Sequence, residues 1–169
     1  MATALSGIRA CVFDAYGTLF DYASAAAGCR DVLGDRIGPL TALWRDKQLQ
    51  YTWLRTLQGR HTDFWQVTCD ALDFALETLG LDDSPLRARL MDLYRTLDIF
   101  PEVPTTLKRL KAAGIKTAIL SNGSPDHASL DAVAATGRNH PVSAAASRSP
   151  ERNSSRSAGR RSGAAGGTR

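Results

Sequence analysis

An aspartate at position 14 ends a short apolar run, Ile8-Arg9-Ala10-Cys11-Val12-Phe13, and leads into Ala15-Tyr16-Gly17-Thr18. A run of this kind, bounded by Asp and Gly, reads as a buried strand feeding a tight loop. In open parallel sheets ligands bind outside the carboxyl ends of the strands, so Asp14 stands where a nucleophile or metal ligand is expected. Capping of the loop N–H groups is the simpler alternative for the same residue. A second apolar run, Lys116-Thr117-Ala118-Ile119-Leu120, passes straight into Ser121-Asn122-Gly123. If the two strands are parallel neighbours, Asp14, Thr18, Ser121 and Asn122 converge at one sheet edge. Ser121 alone could equally cap the turn that follows it. Arg45 is a further candidate: it shares a helix face with Leu49 at i, i+4, with Thr52 beside them. A solvent-facing arginine would be unremarkable, but an apolar neighbour on its face suggests that this face meets something.

The elements that must hold these groups follow from periodicity. Leu40, Trp44, Tyr51 and Leu54 recur at helical spacing between Leu40 and Leu57, with Lys47 interrupting, and Pro39 suits the first turn. A second helix is predicted from Asp63 to Leu79, with Phe64, Val67, Ala71, Leu72, Ala75 and Leu79 on one side and Gly80 as its stop. Ser84-Pro85 opens a third, through Leu86, Leu90, Leu93 and Leu97. Val103 to Ala112 repeats the pattern, and Gly114 ends it. A further helix is expected from Pro125 to Ala135. Helix, strand, polar loop and helix in succession are half of a doubly wound α/β fold.

Charge divides the chain. Residues 136–169 hold seven Arg and one Glu against a formal net charge of +4 for the whole, so the remainder is slightly acidic and carries no nucleic-acid signature. Cys11, Cys29 and Cys69 form no CxxC pair, which reads as reduced thiols of a cytoplasmic protein. The apolar run before Asp14 is too brief for a signal peptide. No stretch reaches the roughly 18 apolar residues that span a bilayer.

Three motifs in this order, strand-DAYGTLFD, a helix with WRDKQLQYTWLR, and strand-SNGSPD, resemble the haloacid dehalogenase superfamily, and within it the (S)-2-haloacid dehalogenases. The resemblance covers residues 8 to about 133. It implies a doubly wound (Rossmann-like) parallel-sheet core with an inserted helical cap, and with the composition of the last segment the expectation is a partial core and a disordered C-terminal tail: 1–17 as the first core strand and nucleophile loop, 18–98 as the cap, 99–135 as a core helix-strand-helix, and 136–169 as the tail. It also implies that Asp14 is the nucleophile, that Thr18, Ser121 and Asn122 bind the substrate carboxylate or orient Asp14, that Arg45 meets the departing halide, and that Tyr16, Leu49 and Phe64 line the pocket. Asp46 stands where the resemblance leads one to expect glutamine. The implied reaction converts short (S)-2-haloalkanoic acids to (R)-2-hydroxy acids through an aspartyl ester. The implied partners are a small 2-haloacid and a second copy of the chain meeting through the cap, with no membrane and no nucleic acid.

Residue chemistry separates this expectation from the superfamily's phosphatases, which need a second acid two residues after the nucleophile to protonate an alkoxide. Tyr16 occupies that position. A halide leaves without a proton, and a monocarboxylate can be held by Arg and N–H groups, so no metal or other cofactor is expected. A phosphatase-like member of the superfamily and an inactive dehalogenase fragment are the alternatives.

After Ala135 the apolar periodicity stops, and only Val142 is a large aliphatic residue. Such a segment cannot bury enough apolar surface to offset chain entropy, so disorder is expected. The further strands, the lysine and the late Ser/Asn/Asp loop that the resemblance calls for have no counterpart there. Arg, Gly, Ala, Ser and Pro without Lys is what GC-rich DNA gives out of frame, so a truncated or frame-shifted copy is expected. A nucleic-acid-binding arm is a competing reading of the same arginines.

Overall fold

The computed structural model describes residues 6–81 and 83–123. The expected Pro125–Ala135 helix and the tail 136–169 lie outside the described residues.

Strand β1 (Ala10–Phe13) pairs in parallel with β2 (Lys116–Ile119), in the register Ala10↔Lys116 to Phe13↔Ile119. Hydrogen bonds from Lys116 N to the Arg9 carbonyl at 3.1 Å and from Leu120 N to the Phe13 carbonyl at 2.8 Å extend the ladder at both ends. A parallel pair demands a long crossover, and here it carries six helices: α1 (Ala23–Ala27), α2 (Arg30–Leu33), α3 (Ile37–Leu57), α4 (Phe64–Thr78), α5 (Ser84–Arg95) and α6 (Val103–Ala112). The neighbouring placement expected of the two strands is therefore observed. Their apolar side chains also remain partly uncovered: Val12 is 62% exposed and Leu120 75%.

Each long helix has a local reason to start and stop. Pro39 sits in the first turn of α3, where its missing N–H costs no helical hydrogen bond. Asp63 caps α4, its Oδ1 accepting from Gln66 N at 3.0 Å. Gly80 and Gly114 follow α4 and α6 at φ +62° and +71°, the left-handed conformation that ends helices cheaply only at glycine. The spacing at 23–36 gives no helix, yet α1, α2 and a 3₁₀ turn at Gly34–Arg36 form there. They are too short, and too rich in Ala and Gly, to write an apolar period.

The apolar stripe of α3 also differs from the expected one. Its buried line runs Leu40, Trp44, Gln48, whereas Tyr51 is half-buried and Leu54 is 52% exposed. The line advances by four residues at each step and so passes through a glutamine that a hydrophobicity pattern does not register.

One apolar cluster joins these helices to the loop after β1: Ala15, Tyr16, Leu19 and Phe20 pack with Leu40, Trp44, Leu72, Leu90 and Tyr94. That loop is also tied to the chain returning from α5. Asp21 N donates to the Asp98 carbonyl at 2.8 Å and Phe100 N to the Leu19 carbonyl at 3.2 Å. The two connections that lead into and out of the helical segment thus run side by side next to the carboxyl end of β1.

Because one acceptor holds the first turn of α4, Asp63→Ala is expected to lower the unfolding free energy by about 1 kcal/mol, with Asp63→Asn close to wild type. Denaturant midpoints of the three proteins check this, and equal midpoints for Ala and Asn would show that the cap contributes nothing.

Candidate functional site

Asp14 is the first residue past β1 and is exposed. Two residues on, Tyr16 turns inward and is buried at 8% exposure. Its ring lies 5.7 Å from that of Tyr94 in a stacked arrangement, 5.0 Å from Phe64 and 6.2 Å from Phe20. The phenol is pushed up to about 12, first by burial; the Arg45 charge works against that and the Asp14 charge adds to it. Tyr16 therefore feels both the acid that follows β1 and the arginine of α3.

Arg45 reaches the nucleophile loop directly. Its Nη2 donates to the Tyr16 carbonyl at 3.3 Å, its Nη1 donates to Gln48 Oε1 at 2.7 Å, and its guanidinium lies 4.9 Å from the centre of the Tyr22 ring. The face shared by Arg45 and Leu49 does meet another part of the molecule, as their juxtaposition suggested. Leu49 itself is half-buried and is not among the residues packed against the main apolar cluster.

At the end of β2, Ser121 Oγ accepts from Gly123 N at 3.1 Å. This is the turn-capping role set out as an alternative, and it leaves the hydroxyl proton free to donate elsewhere. The turn is pressed against Tyr16: a Cβ on Gly123 would stand 2.9 Å from Tyr16 Cε2 and 3.0 Å from its hydroxyl. Any larger residue at 123 would have to move the ring or the loop. Asn122 is exposed and, with Phe64, Thr52, Arg55, His61 and Val67, borders a cavity of about 330 Å³ between the β2 loop and helices α3 and α4. Thr18 borders, with Phe13, Leu19, Glu102, Val103 and Leu107, a second cavity of about 140 Å³ that reaches from the end of β1 to α6. Phe64, Arg45 and the Ser121–Gly123 turn thus meet Tyr16, the Asp14 charge reaches it, and Asn122 borders the cavity beside Phe64.

Behind Arg45 lies a buried polar cluster that sequence reasoning missed. Gln48 is 1% exposed and Thr68 0%. Gln48 Nε2 donates to Thr68 Oγ1 at 2.7 Å and to the Tyr94 hydroxyl at 3.0 Å, and Trp44 Nε1 donates to the Thr68 carbonyl at 2.9 Å. Burial holds the Tyr94 phenol well above its usual value. The signal available was positional: Gln48 stands i+4 from Trp44 and i+3 from Arg45, on the buried line of α3.

Among the described residues no group of three or more His, Cys, Asp or Glu side chains is placed to hold a metal ion, and no helix is long and apolar enough to cross a membrane. Chemically, the arrangement offers an accessible carboxylate, a guanidinium with free N–H valences, an apolar aromatic wall and a polar turn.

Raising the Tyr16 phenol has a measurable consequence. A proton held more tightly in the folded state stabilises it fully below the unfolded value near pH 10, and the contribution is lost as pH rises through about 12. We expect stability to fall across that window by roughly 2–3 kcal/mol more in wild type than in Tyr16→Phe. Urea midpoints from pH 9 to 12 check this, and identical pH profiles would contradict the burial of Tyr16.

A family described as haloacid dehalogenase-like hydrolase matches residues 8–155. (S)-2-Haloacid dehalogenase 1 of Pseudomonas sp. (strain CBS-3) is 54% identical over 117 residues, covering 69% of this chain and 52% of the relative. A crystal structure of a dehalogenase superimposes with TM-score 0.72 at 45% identity, covering 78% of this chain and 58% of that one. The L-2-haloacid dehalogenase of Xanthobacter autotrophicus with chloropropionic acid covalently bound superimposes with TM-score 0.65 at 44% identity, covering 76% of this chain and 52% of that one. The chain spans about half the length of the curated relatives it matches.

Proposed function

The chain belongs to the haloacid dehalogenase-like hydrolases, and from that premise we propose that it works on short (S)-2-haloalkanoic acids, with Asp14 as nucleophile and Arg45 as the group that receives the halide. The observation that carries this reading is the bond from Arg45 to the Tyr16 carbonyl. It brings an arginine from α3 to the backbone two residues beyond the acid.

A carboxylate oxygen of Asp14 attacks C2 of the substrate, and the carbon–halogen bond breaks on the opposite side, the halogen leaving with the bonding pair. Water then attacks the ester carbonyl carbon of Asp14. The acyl C–O bond breaks, the (R)-2-hydroxy acid departs, a proton passes to solvent, and Asp14 keeps one oxygen from water. Arg45 stabilises the charge that grows on the halogen. Asn122, Ser121 and Thr18 hold the substrate carboxylate or orient Asp14, and Tyr16, Phe64 and Leu49 shape the apolar side of the pocket. The free hydroxyl proton of Ser121 and the cavity beside Asn122 support the first two assignments.

Tyr16 also weighs against a phosphatase reading. A buried phenol raised to about 12 is a far weaker acid than the carboxyl group that a phosphatase uses at this position, and halide departure requires no acid. Residues 18–98 form the cap on this reading, supported by the paired connections at Asp21–Asp98 and Leu19–Phe100. Dimerisation through the cap and a cytoplasmic location complete the proposal.

The experiment is halide release from (S)- and (R)-2-chloropropionate by the purified chain. Release from the (S) acid alone, abolished in Asp14→Asn, is expected; no Asp14-dependent release from the folded chain would overturn the proposal. Arg45→Ala is expected to lower turnover by about 10²–10³ with the fold intact. Near-wild-type turnover in that variant would remove the role given to Arg45.

A further inference from the structure

Gln48 calls for a physical reason to exist. A buried primary amide costs free energy unless every polar atom is paired, and a methionine would fill the same space without that demand. All of its polar atoms are paired, and Arg45 and Thr68 settle which way the amide points. Arginine has no acceptor, so the side-chain carbonyl of Gln48 must face Arg45, at 2.7 Å. Its amide group then faces away and donates to Thr68 Oγ1 and the Tyr94 hydroxyl. Thr68 spends its one proton on the Phe64 carbonyl at 2.7 Å and can only accept from Gln48. Thr68 of α4 thus fixes which way the amide points, the Tyr94 hydroxyl of α5 meets both of its ends at 3.0 and 3.4 Å, and the amide fixes Arg45.

The partner is also neutral. Among the described residues the ion pairs are Arg55–Asp70, Arg87–Asp73 and Arg89–Asp31. Arg45 belongs to none of them and is held by two uncharged oxygens, those of Gln48 and Tyr16. A carboxylate at position 48 would make a stronger bond but would cancel the charge.

We propose that Gln48 is a positioning residue that fixes the Arg45 guanidinium above the nucleophile loop through a neutral hydrogen bond, leaving its full positive charge for the departing halide. This rests on the dehalogenase reading above and adds to it the group that sets the strength of Arg45.

Two variants test it. Gln48→Met keeps the volume and removes the acceptor, whereas Gln48→Glu keeps an acceptor and compensates the charge. Chloride leaves less readily than bromide and depends more on electrostatic help, so the two substrates report on Arg45 rather than on folding. In both variants kcat for (S)-2-chloropropionate is expected to fall by about 10- to 100-fold, kcat for (S)-2-bromopropionate by less, and KM to change little. Equal losses on both substrates, or wild-type kcat in Gln48→Met, would overturn the proposal. A second readout needs no turnover: NMR of ¹⁵N-arginine-labelled chain is expected to show slow Nη rotation at Arg45 in wild type and Gln48→Glu, lost in Gln48→Met. If wild type released no halide, the dehalogenase reading would fall while this spectrum still decided the positioning claim. Fast rotation at Arg45 in wild type would end it.

Discussion

Arg45 is held at 2.7 Å by a glutamine whose other atoms are committed to two further helices, and at 3.3 Å it grips the backbone carbonyl of Tyr16. Through these bonds the long crossover is tied to the loop at the end of β1. Removing any one partner would leave a buried donor or acceptor unpaired, at a cost of about 1–3 kcal/mol, so the cluster holds as a unit. The aromatic rings reinforce it: Tyr94 stacks on Tyr16, and Trp44 lies 5.0 Å from Tyr94. Position and charge at the site therefore depend on the helical core and on the two-stranded sheet together.

The sheet contributes less. Two strands seldom form an independently stable sheet, and these expose Val12 and Leu120 on their outer surface. What secures them is packing on the inner side, where Phe13 and Ile119 lie against the main apolar cluster and α6 sits on β2. The register that sets Asp14 near Ser121 is thus maintained by helices as much as by the ladder.

Much of this was legible in the amino-acid sequence where a residue's type and its period agreed. The glycines after α4 and α6, both strands and their polar ends can be read directly, because each rests on local chemistry. Legibility failed where a residue's burial contradicted its polarity. Gln48 looks like a surface residue, and only the four-residue advance of the buried line on α3 marks it as internal. Ser121 shows a different limit: the turn-capping bond to Gly123 and a role toward substrate use opposite ends of the same hydroxyl, so sequence reasoning could not choose between them. Short helices such as α1 and α2 leave no period to read.

The central claim is that Asp14 itself becomes esterified and is then released by water at its own carbonyl. A single turnover in ¹⁸O-labelled water, followed by mass spectrometry of the peptide containing Asp14, tests it most directly. Label in the Asp14 carboxylate, with none in the hydroxy acid first released, is the predicted result. Label in the product and none in Asp14 would mean that water attacks the substrate directly, and would contradict the account.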